Sequence, residues 1–258
     1  MDRAIVFFDI DGTLLDHNKQ LPSSTKHAIQ ALKREGHDVA IATGRAPFLF
    51  ENLREELEID SFVSFNGQYV VLGGEVIYKN PLNTKALDSL TKFANKYNHP
   101  LVYMGHEIMK ANSQYHPHID VSIGTLGVSH PGYDPHYFVD REIFQALLFC
   151  PDEEEAQYRD GLKDLNFIRW HQFSMDVLPL GGSKAQGIEK AIEKLGYTKE
   201  QVYAFGDYLN DIEMLQFVGN GVAMGNAPDL VKNVAKYVTK DVSDNGIAHG
   251  LKLVGLLR

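Results

Sequence analysis

The stretch Ala4-Ile-Val-Phe-Phe8-Asp9-Ile10-Asp11-Gly12-Thr13 decides how the rest of the chain is read. Its continuous apolar run, rich in β-formers, predicts a strand buried on both faces, and Asp-Gly-Thr directly after it predicts a loop. Two carboxylates two residues apart at a strand end can both face one pocket. One can attack as a nucleophile, because carboxylates form acyl-phosphate intermediates. The other can supply and remove protons at the leaving oxygen. Gly12 lets the backbone turn sharply beside them. The plain alternative is a turn in which Asp9 caps and Asp11-Gly12 makes the bend. The position straight after a buried N-terminal strand favours chemistry.

Outward from this stretch, residues 24–35 predict an amphipathic helix, with Ala28, Ile29 and Leu32 on one stripe and Gly36 as its stop. A strand over 38–43 ends in Thr43-Gly44-Arg45, a helix covers 47–58 and a third strand 62–65. Strands alternating with helices indicate βαβ units around a parallel sheet. Asn66-Gly67 and Gly73-Gly74 are hairpin signals around short strands at 68–72 and 75–78, and Asn80-Pro81 marks a break.

From 82 to about 180 the pattern changes. Helices are expected at 84–97 and 152–165, and strands at 101–104, 145–150, 167–171 and 173–178. Residues 105–138, rich in His, Gly, Pro and Ser, resist assignment. After Pro179-Leu180-Gly181-Gly182 the first pattern returns, with helices at 184–195, 211–217 and 229–235 and strands at 202–205 and 221–224. The expected architecture is α/β. A Rossmann-like parallel-sheet core is built from 1–81 and 181–258, and an α+β domain, 82–180, is inserted between them.

In an open parallel sheet, ligands bind beyond the carboxyl ends of the strands. Those ends carry Asp9 and Asp11, then Thr43, then Asn66, and after the 202–205 strand Asp207, Asn210 and Asp211. Four carboxylates near one point repel unless a cation sits among them or some are protonated. Magnesium suits such a set, since it takes oxygen ligands and often one or two carboxylates plus substrate phosphate. The plain alternative is an N-cap, with Asp207 or Asn210 opening the next helix. Lys184, at a helix start, can neutralise the nucleophile and hold a phosphoryl oxygen; otherwise it is an exposed first-turn lysine. Thr43-Gly44-Arg45 offers a hydroxyl, a backbone N–H and a guanidinium to phosphate. Asn66 is either hairpin chemistry or part of the pocket wall. Asp241, Asp244 and Asn245 are expected to cap the last helix. His116, His118, His130 and His136 lack the matched ligands of a zinc site and are expected in a solvated loop.

Composition narrows the partners. With 44% apolar and 23% charged residues the chain is ordinary globular material. Its 25 Lys+Arg against 34 Asp+Glu, net −9, argue against nucleic acid, whose phosphates demand a basic face. The same balance opposes an anionic substrate unless metal and a few placed cations reverse the field locally. The one cysteine, Cys150, lies in an apolar run and is expected to be a buried thiol. No run approaches the ~20 apolar residues of a membrane span, and the N-terminal apolar run is too short for a signal-peptide core. The expectation is a cytoplasmic protein, monomer or homodimer, that neither enters a membrane nor binds nucleic acid.

These motifs, in this order, resemble the haloacid dehalogenase superfamily of aspartate-dependent phosphatases. Asp9 to Thr13 is similar to its first motif, Thr43 to its second, Lys184 to its third and Gly206 to Asp211 to its fourth. Ser64-Phe-Asn-Gly-Gln68 and Val222-Ala-Met-Gly-Asn-Ala227 further resemble the Cof-type subfamily, which carries a large α/β cap where the insertion lies here. The resemblance implies a magnesium-dependent phosphatase acting on small phosphorylated metabolites such as sugar phosphates, nucleotides, flavin mononucleotide or pyridoxal phosphate. It makes Asp9 the nucleophile and Asp11 the general acid/base, with an aspartyl-phosphate intermediate and a cap that closes over the substrate. Thr43, Gly44, Lys184 and Asn210 would bind the phosphoryl group, with Arg45 and Asn66 as further substrate contacts. Asp9, Asp11 (through its backbone carbonyl), Asp207 and Asp211 would form the metal site. Tyr208 departs from the smaller residue of many relatives. A crowded anionic site is expected to raise the pKa of Asp11. A phosphotransferase or mutase with the same nucleophile, and a non-catalytic phosphometabolite-binding regulator, stand as alternatives. A dehalogenase fits less well, because its chemistry needs neither Asp11 nor a metal.

Overall fold

The computed structural model describes residues 3–258. Strand β1 (Ile5–Phe8) is entirely buried, with exposures of 0–1%. Fully burying side chains of this size contributes roughly 1.5–3 kcal/mol each, which is why an unbroken apolar run becomes the middle of a sheet. Helix α1 (Ser23–Arg34), β2 (Asp38–Ala42), α2 (Glu51–Leu57), β3 (Phe62–Ser64), β4 (Tyr69–Leu72) and β5 (Glu75–Lys79) follow. The helix expected over 47–58 is divided: Pro47–Leu49 makes a 3-10 turn, and Phe50, at φ −138°, interrupts it before α2.

Next come α3 (Thr84–Lys96), β6 (Leu101–Met104), β7 (Met109–Ala111), α4 (Pro117–Gly124), β8 (Gln145–Phe149), α5 (Glu155–Gly161), β9 (Leu165–His171) and β10 (Ser174–Pro179). The chain then continues through α6 (Lys184–Leu195), β11 (Val202–Gly206), α7 (Ile212–Phe217), β12 (Asn220–Ala223), α8 (Asp229–Lys232), β13 (Tyr237–Val238) and α9 (Gly246–Leu253). Among the described residues no helix is long and apolar enough to cross a membrane.

The chain forms two compact units. The first holds residues up to Arg45, Phe50–Tyr78 and Ser183–Arg258; the second holds Ala46–Leu49 and Lys79–Gly182. An eight-stranded sheet runs β13-β12-β11-β1-β2-β3-β4-β5. It is parallel from β13 to β3, and β4 joins antiparallel to β3. On one face Phe7, Ala42 and Val63 pack with Ile188 and Ala191 of α6 and Met214 of α7. On the other, α9 lies so close that a Cβ at Gly250 would come within 2.5 Å of the Phe205 ring.

The second unit has its own sheet, β7-β6-β8-β10-β9, in which every pairing is antiparallel. One face carries Tyr103, Ala146, Leu148 and Met175, packed with Leu87 and Leu90 of α3 and Tyr158 of α5. Cys150 is fully buried there, and burial pushes its thiol up to about 11. The histidine-rich stretch corrects the expectation of a solvated loop. Only His136 of the four named residues is exposed. His118 stacks on Phe173 at 4.2 Å between ring centres. His116 Nδ1 accepts the His118 backbone N–H, and His130 Nε2 accepts that of His116, both at 3.2 Å. The His116 and His130 rings have traded water for backbone donors, and the His118 ring for an aromatic stack, which short polar patterning does not reveal.

Candidate active site

The parallel strands end on one edge, and the loops leaving them build the site. The backbone N–H of Asp9 donates to Phe205 O at 2.9 Å, carrying the β1–β11 pairing one residue past the strand. Asp9 is 7% exposed and Lys184 fully buried. The Lys184 ammonium lies 2.6 Å from Asp9 Oδ1 and 2.6 Å from Asp211 Oδ1. Asp211 Oδ2 accepts the N–H groups of Asp207 (2.9 Å) and Tyr208 (3.0 Å), so the turn after β11 is folded around this carboxylate. Asp207 is held by the Thr13 hydroxyl at 3.1 Å and by Asn226 Nδ2 at 3.2 Å. Asn226 also donates to Gly12 O at 2.9 Å and accepts the Val242 N–H at 3.0 Å. Gly12 has φ +80°, and a Cβ there would stand 2.2 Å from Asp207 Oδ2, so only glycine fits.

Beyond β2, the buried Thr43 hydroxyl accepts the Arg45 N–H at 3.1 Å. The Arg45 guanidinium grips Asp11 with two bonds, Nε–Oδ2 at 2.8 Å and Nη2–Oδ1 at 2.6 Å, and Lys19 Nζ adds a third at 2.6 Å. After β3, Phe65 and Asn66 both take φ 50°, a left-handed conformation rare outside glycine. That turn buries Asn66, whose N–H donates to Thr43 O at 3.0 Å and whose Oδ1 accepts from Asn210 Nδ2 at 3.2 Å. Gly44 lies against the same amide: a Cβ there would be 3.0 Å from Asn66 Nδ2.

Electrostatics divide the two motif aspartates. Burial pushes Asp9 well above the usual carboxylate range; Lys184 opposes this, while Asp211 and Asp207 add to it. Burial, with Asp211 beside it, pushes Asp207 up to about 7. Lys184 is raised despite its burial, because Asp211 and Asp9 stabilise its charge. Asp11 goes the other way. Burial favours its neutral form, but the bonds and charges of Arg45 and Lys19 prevail and hold it below the ordinary value. The expected rise at Asp11 is therefore corrected: it sits between two cations, outside the acidic cluster.

Carboxylate oxygens of Asp9, Asp207 and Asp211 lie within 4.8 Å of one another. Three carboxylates face one ammonium, and burial drives two of them toward protonation. This hard-oxygen donor set fits a divalent cation of the magnesium kind. Of the expected residues, Asp9, Asp207, Asp211 and Lys184 meet at one point, while Thr43, Gly44, Asn66 and Asn210 form an adjoining chain of contacts. Tyr208 is 48% exposed. Sequence reading assigned no role to Thr13, Lys19 or Asn226. Thr13 and Asn226 lay inside quoted motifs, whereas no local signal marked Lys19.

Fold and site first define a class: an α/β protein whose strand-end loops gather carboxylates around a buried ammonium. A family model described as haloacid dehalogenase-like hydrolase matches residues 6–251. YkrA, a provisionally named phosphatase of Bacillus subtilis (strain 168), is 50% identical over 258 residues, 100% of both chains. A hypothetical protein of Geobacillus kaustophilus HTA426, known as a crystal structure, is 58% identical with a TM-score of 0.94, over 99% of this chain and 100% of that one. The HAD subclass IIB sugar phosphatase BT4131 is 30% identical with a TM-score of 0.88, over 98% and 100%. The chain belongs to the haloacid dehalogenase superfamily, as a phosphatase of its Cof-type branch.

Proposed function

We propose that this phosphatase hydrolyses phosphate monoesters of small metabolites through an aspartyl-phosphate on Asp9, with magnesium bound beside it. The observation that carries the reading is the Lys184 ammonium bridging Asp9 and Asp211 at 2.6 Å inside a cluster of three carboxylates. A nucleophile that must meet an anion needs such local neutralisation, since phosphoryl transfer is mainly positioning and charge compensation.

In this mechanism an Asp9 carboxylate oxygen attacks phosphorus in line with the ester oxygen. The P–O ester bond breaks, and the leaving alkoxide takes a proton from Asp11. Water then attacks the aspartyl-phosphate, giving its proton to Asp11, and phosphate departs with Asp9 restored. Lys184 and the Thr43 hydroxyl hold the equatorial oxygens, the Gly44 N–H and Asn210 amide orient them, and Arg45 and Asn66 contact the substrate. Asp207 and Asp211, with Asp9 and the Asp11 backbone carbonyl, would hold magnesium, which when bound supplies positive charge against the substrate phosphate. Arg45 and Lys19 keep Asp11 ionised, the form that accepts a proton from water. To donate one, Asp11 must first exchange these partners for a proton. The sugar phosphatase named above supports sugar phosphates as the first substrates to try.

The test is phosphate release from a panel of phosphorylated metabolites and an aryl phosphate, with magnesium and with excess chelator. Chelator-sensitive release is expected, and Asp9→Asn is expected to lower it at least 10³-fold, an amide being a poor nucleophile. Near-normal turnover in Asp9→Asn would refute the covalent route. Isomer formation in place of free phosphate would make the protein a mutase.

A further inference from the structure

Three segments of the first unit meet beside the acidic cluster, and one neutral side chain bonds to all of them. Asn226 lies in the turn that leaves β12, closed by the Ala227 N–H donating to Met224 O at 3.0 Å. Its Nδ2 donates to Gly12 O, in the loop after β1, at 2.9 Å, and to Asp207 Oδ2, in the turn after β11, at 3.2 Å. Its Oδ1 accepts the Val242 N–H at 3.0 Å. These neighbours fix which way the amide points, because a carbonyl and a carboxylate only accept and an N–H only donates. Asp207 in turn receives one donor on each oxygen, the Thr13 hydroxyl on Oδ1 and Asn226 on Oδ2. Its carboxylate cannot rotate without breaking one of them, and each oxygen keeps a lone pair for a cation.

The Val242 N–H is itself held in place. Val242 is 1% exposed and opens a 3-10 turn, Val242–Asp244, which Asp241 caps by accepting the Ser243 N–H at 2.8 Å. The Gly225 N–H donates to Lys240 O at 2.9 Å, and a Cβ on Gly225 would stand 2.4 Å from Asp241 N. The segment is thus packed against the Asn226 turn. The first N–H of a helical turn has no partner within it, and here it is aimed at the amide oxygen.

The chemistry of the link is selective. Tying the loops together needs only the bonds to Gly12 O and Val242. The third bond goes to a carboxylate of the cluster. Lysine or arginine would grip that carboxylate harder, but would put a positive charge where a metal ion must sit. Aspartate would accept from Val242 and donate nothing. Asparagine is the shortest side chain with two donors, an acceptor and no charge, so it orients Asp207 and leaves its charge for the metal.

We propose that Asn226 is a positioning residue of the metal site: it fixes the Asp207 carboxylate as a magnesium ligand, and the Val242 N–H fixes Asn226. This rests on the metal site of the reading above and adds a residue that reading does not use. Groups that orient metal ligands typically govern affinity by about 10–100-fold.

Calorimetry of magnesium alone against the full chain, without substrate or turnover, tests it. Asn226→Ala is expected to bind magnesium at least tenfold more weakly. Val242→Pro removes only the anchoring N–H. Proline suits the first position of a helical turn, and Asp241, at φ −56° and ψ 147°, has the backbone that precedes proline. This variant is expected to stay folded and to bind magnesium about threefold or more weakly. In the double variant the losses are expected not to add, because the anchor acts only through the amide. Melts in chelator separate this from a loop tie: a lowered Tm with an unchanged magnesium Kd in Asn226→Ala overturns the proposal. A wild-type Kd in folded Val242→Pro, or fully additive losses in the double variant, overturns the part given to Val242. Absence of magnesium binding in the wild-type chain removes the metal site itself, and this inference with it.

Discussion

Replacing Lys184 by methionine keeps its length and removes its charge. The ammonium is fully buried and 2.6 Å from each of two carboxylates. At an effective dielectric of about 20, each contact is worth about 6 kcal/mol of attraction. Most of that offsets the desolvation of three buried charges, and removing one partner of a buried ion pair costs a net ~3–5 kcal/mol. A chain of this size shifts its Tm by roughly 2–4 °C per kcal/mol, so Lys184→Met is expected to melt about 6–20 °C lower. Thermal melts in chelator at pH 8 would measure this. Two further conditions identify the cause. Lowering the pH lets Asp9 and Asp207 take up protons, and magnesium substitutes one cation for another, so either is expected to narrow the gap. A variant melting within about 2 °C of wild type in chelator at pH 8 would refute the view that Lys184 holds the carboxylates together.

Asp207→Ala is expected to weaken magnesium at least tenfold, seen as a rightward shift of the activation curve; unchanged metal affinity would remove Asp207 from the ligand set. Gly12→Ala is expected to do likewise, since its Cβ would stand 2.2 Å from Asp207 Oδ2 in a φ +80° backbone that costs a β-carbon roughly 1–2 kcal/mol; wild-type magnesium titration in that variant would contradict the close approach. The two units are expected to respond to pH in opposite directions. Asp207 binds its proton more tightly folded, at about 7 against 3.8, so metal-free core stability is lost as pH rises through that window. Burial lowers His116 and His171 from 6.5, so the unfolded chain binds their protons more tightly and the second unit loses stability as pH falls below that value. Hydrogen exchange at pH 5 and pH 8 in chelator would show β8 and β10 less protected in acid and β1 and β11 less protected in base; the same trend in both would refute this.

Much of the core is legible in local pattern. Lys184–Leu195 and Leu101–Met104 fall where periodicity and apolar runs put them, because buried elements leave a continuous trace in neighbouring residues. Element ends are less so: the expected helix at 229–235 closes at Lys232, and the strand expected at 38–43 stops at Ala42. The unassigned stretch 105–138 contains β7 and α4. Both are short, and α4 starts on a His116 side-chain cap rather than on Ser, Thr, Asp or Asn.

By itself the sequence determined that Asp9 and Asp11 follow a buried strand, that further polar groups follow other strands, and that a second pattern interrupts the first. Each depends on residues within a few positions of one another. Tertiary structure alone decided which carboxylate meets which cation. Lys184 finds Asp9 across 175 positions, and Asn226 finds Gly12 across 214. Asp9 and Asp11 look alike in sequence, yet one ends buried in an acidic cluster and the other between Arg45 and Lys19. Charge and burial depend on distance in space, and the chain's order along its length does not contain that distance.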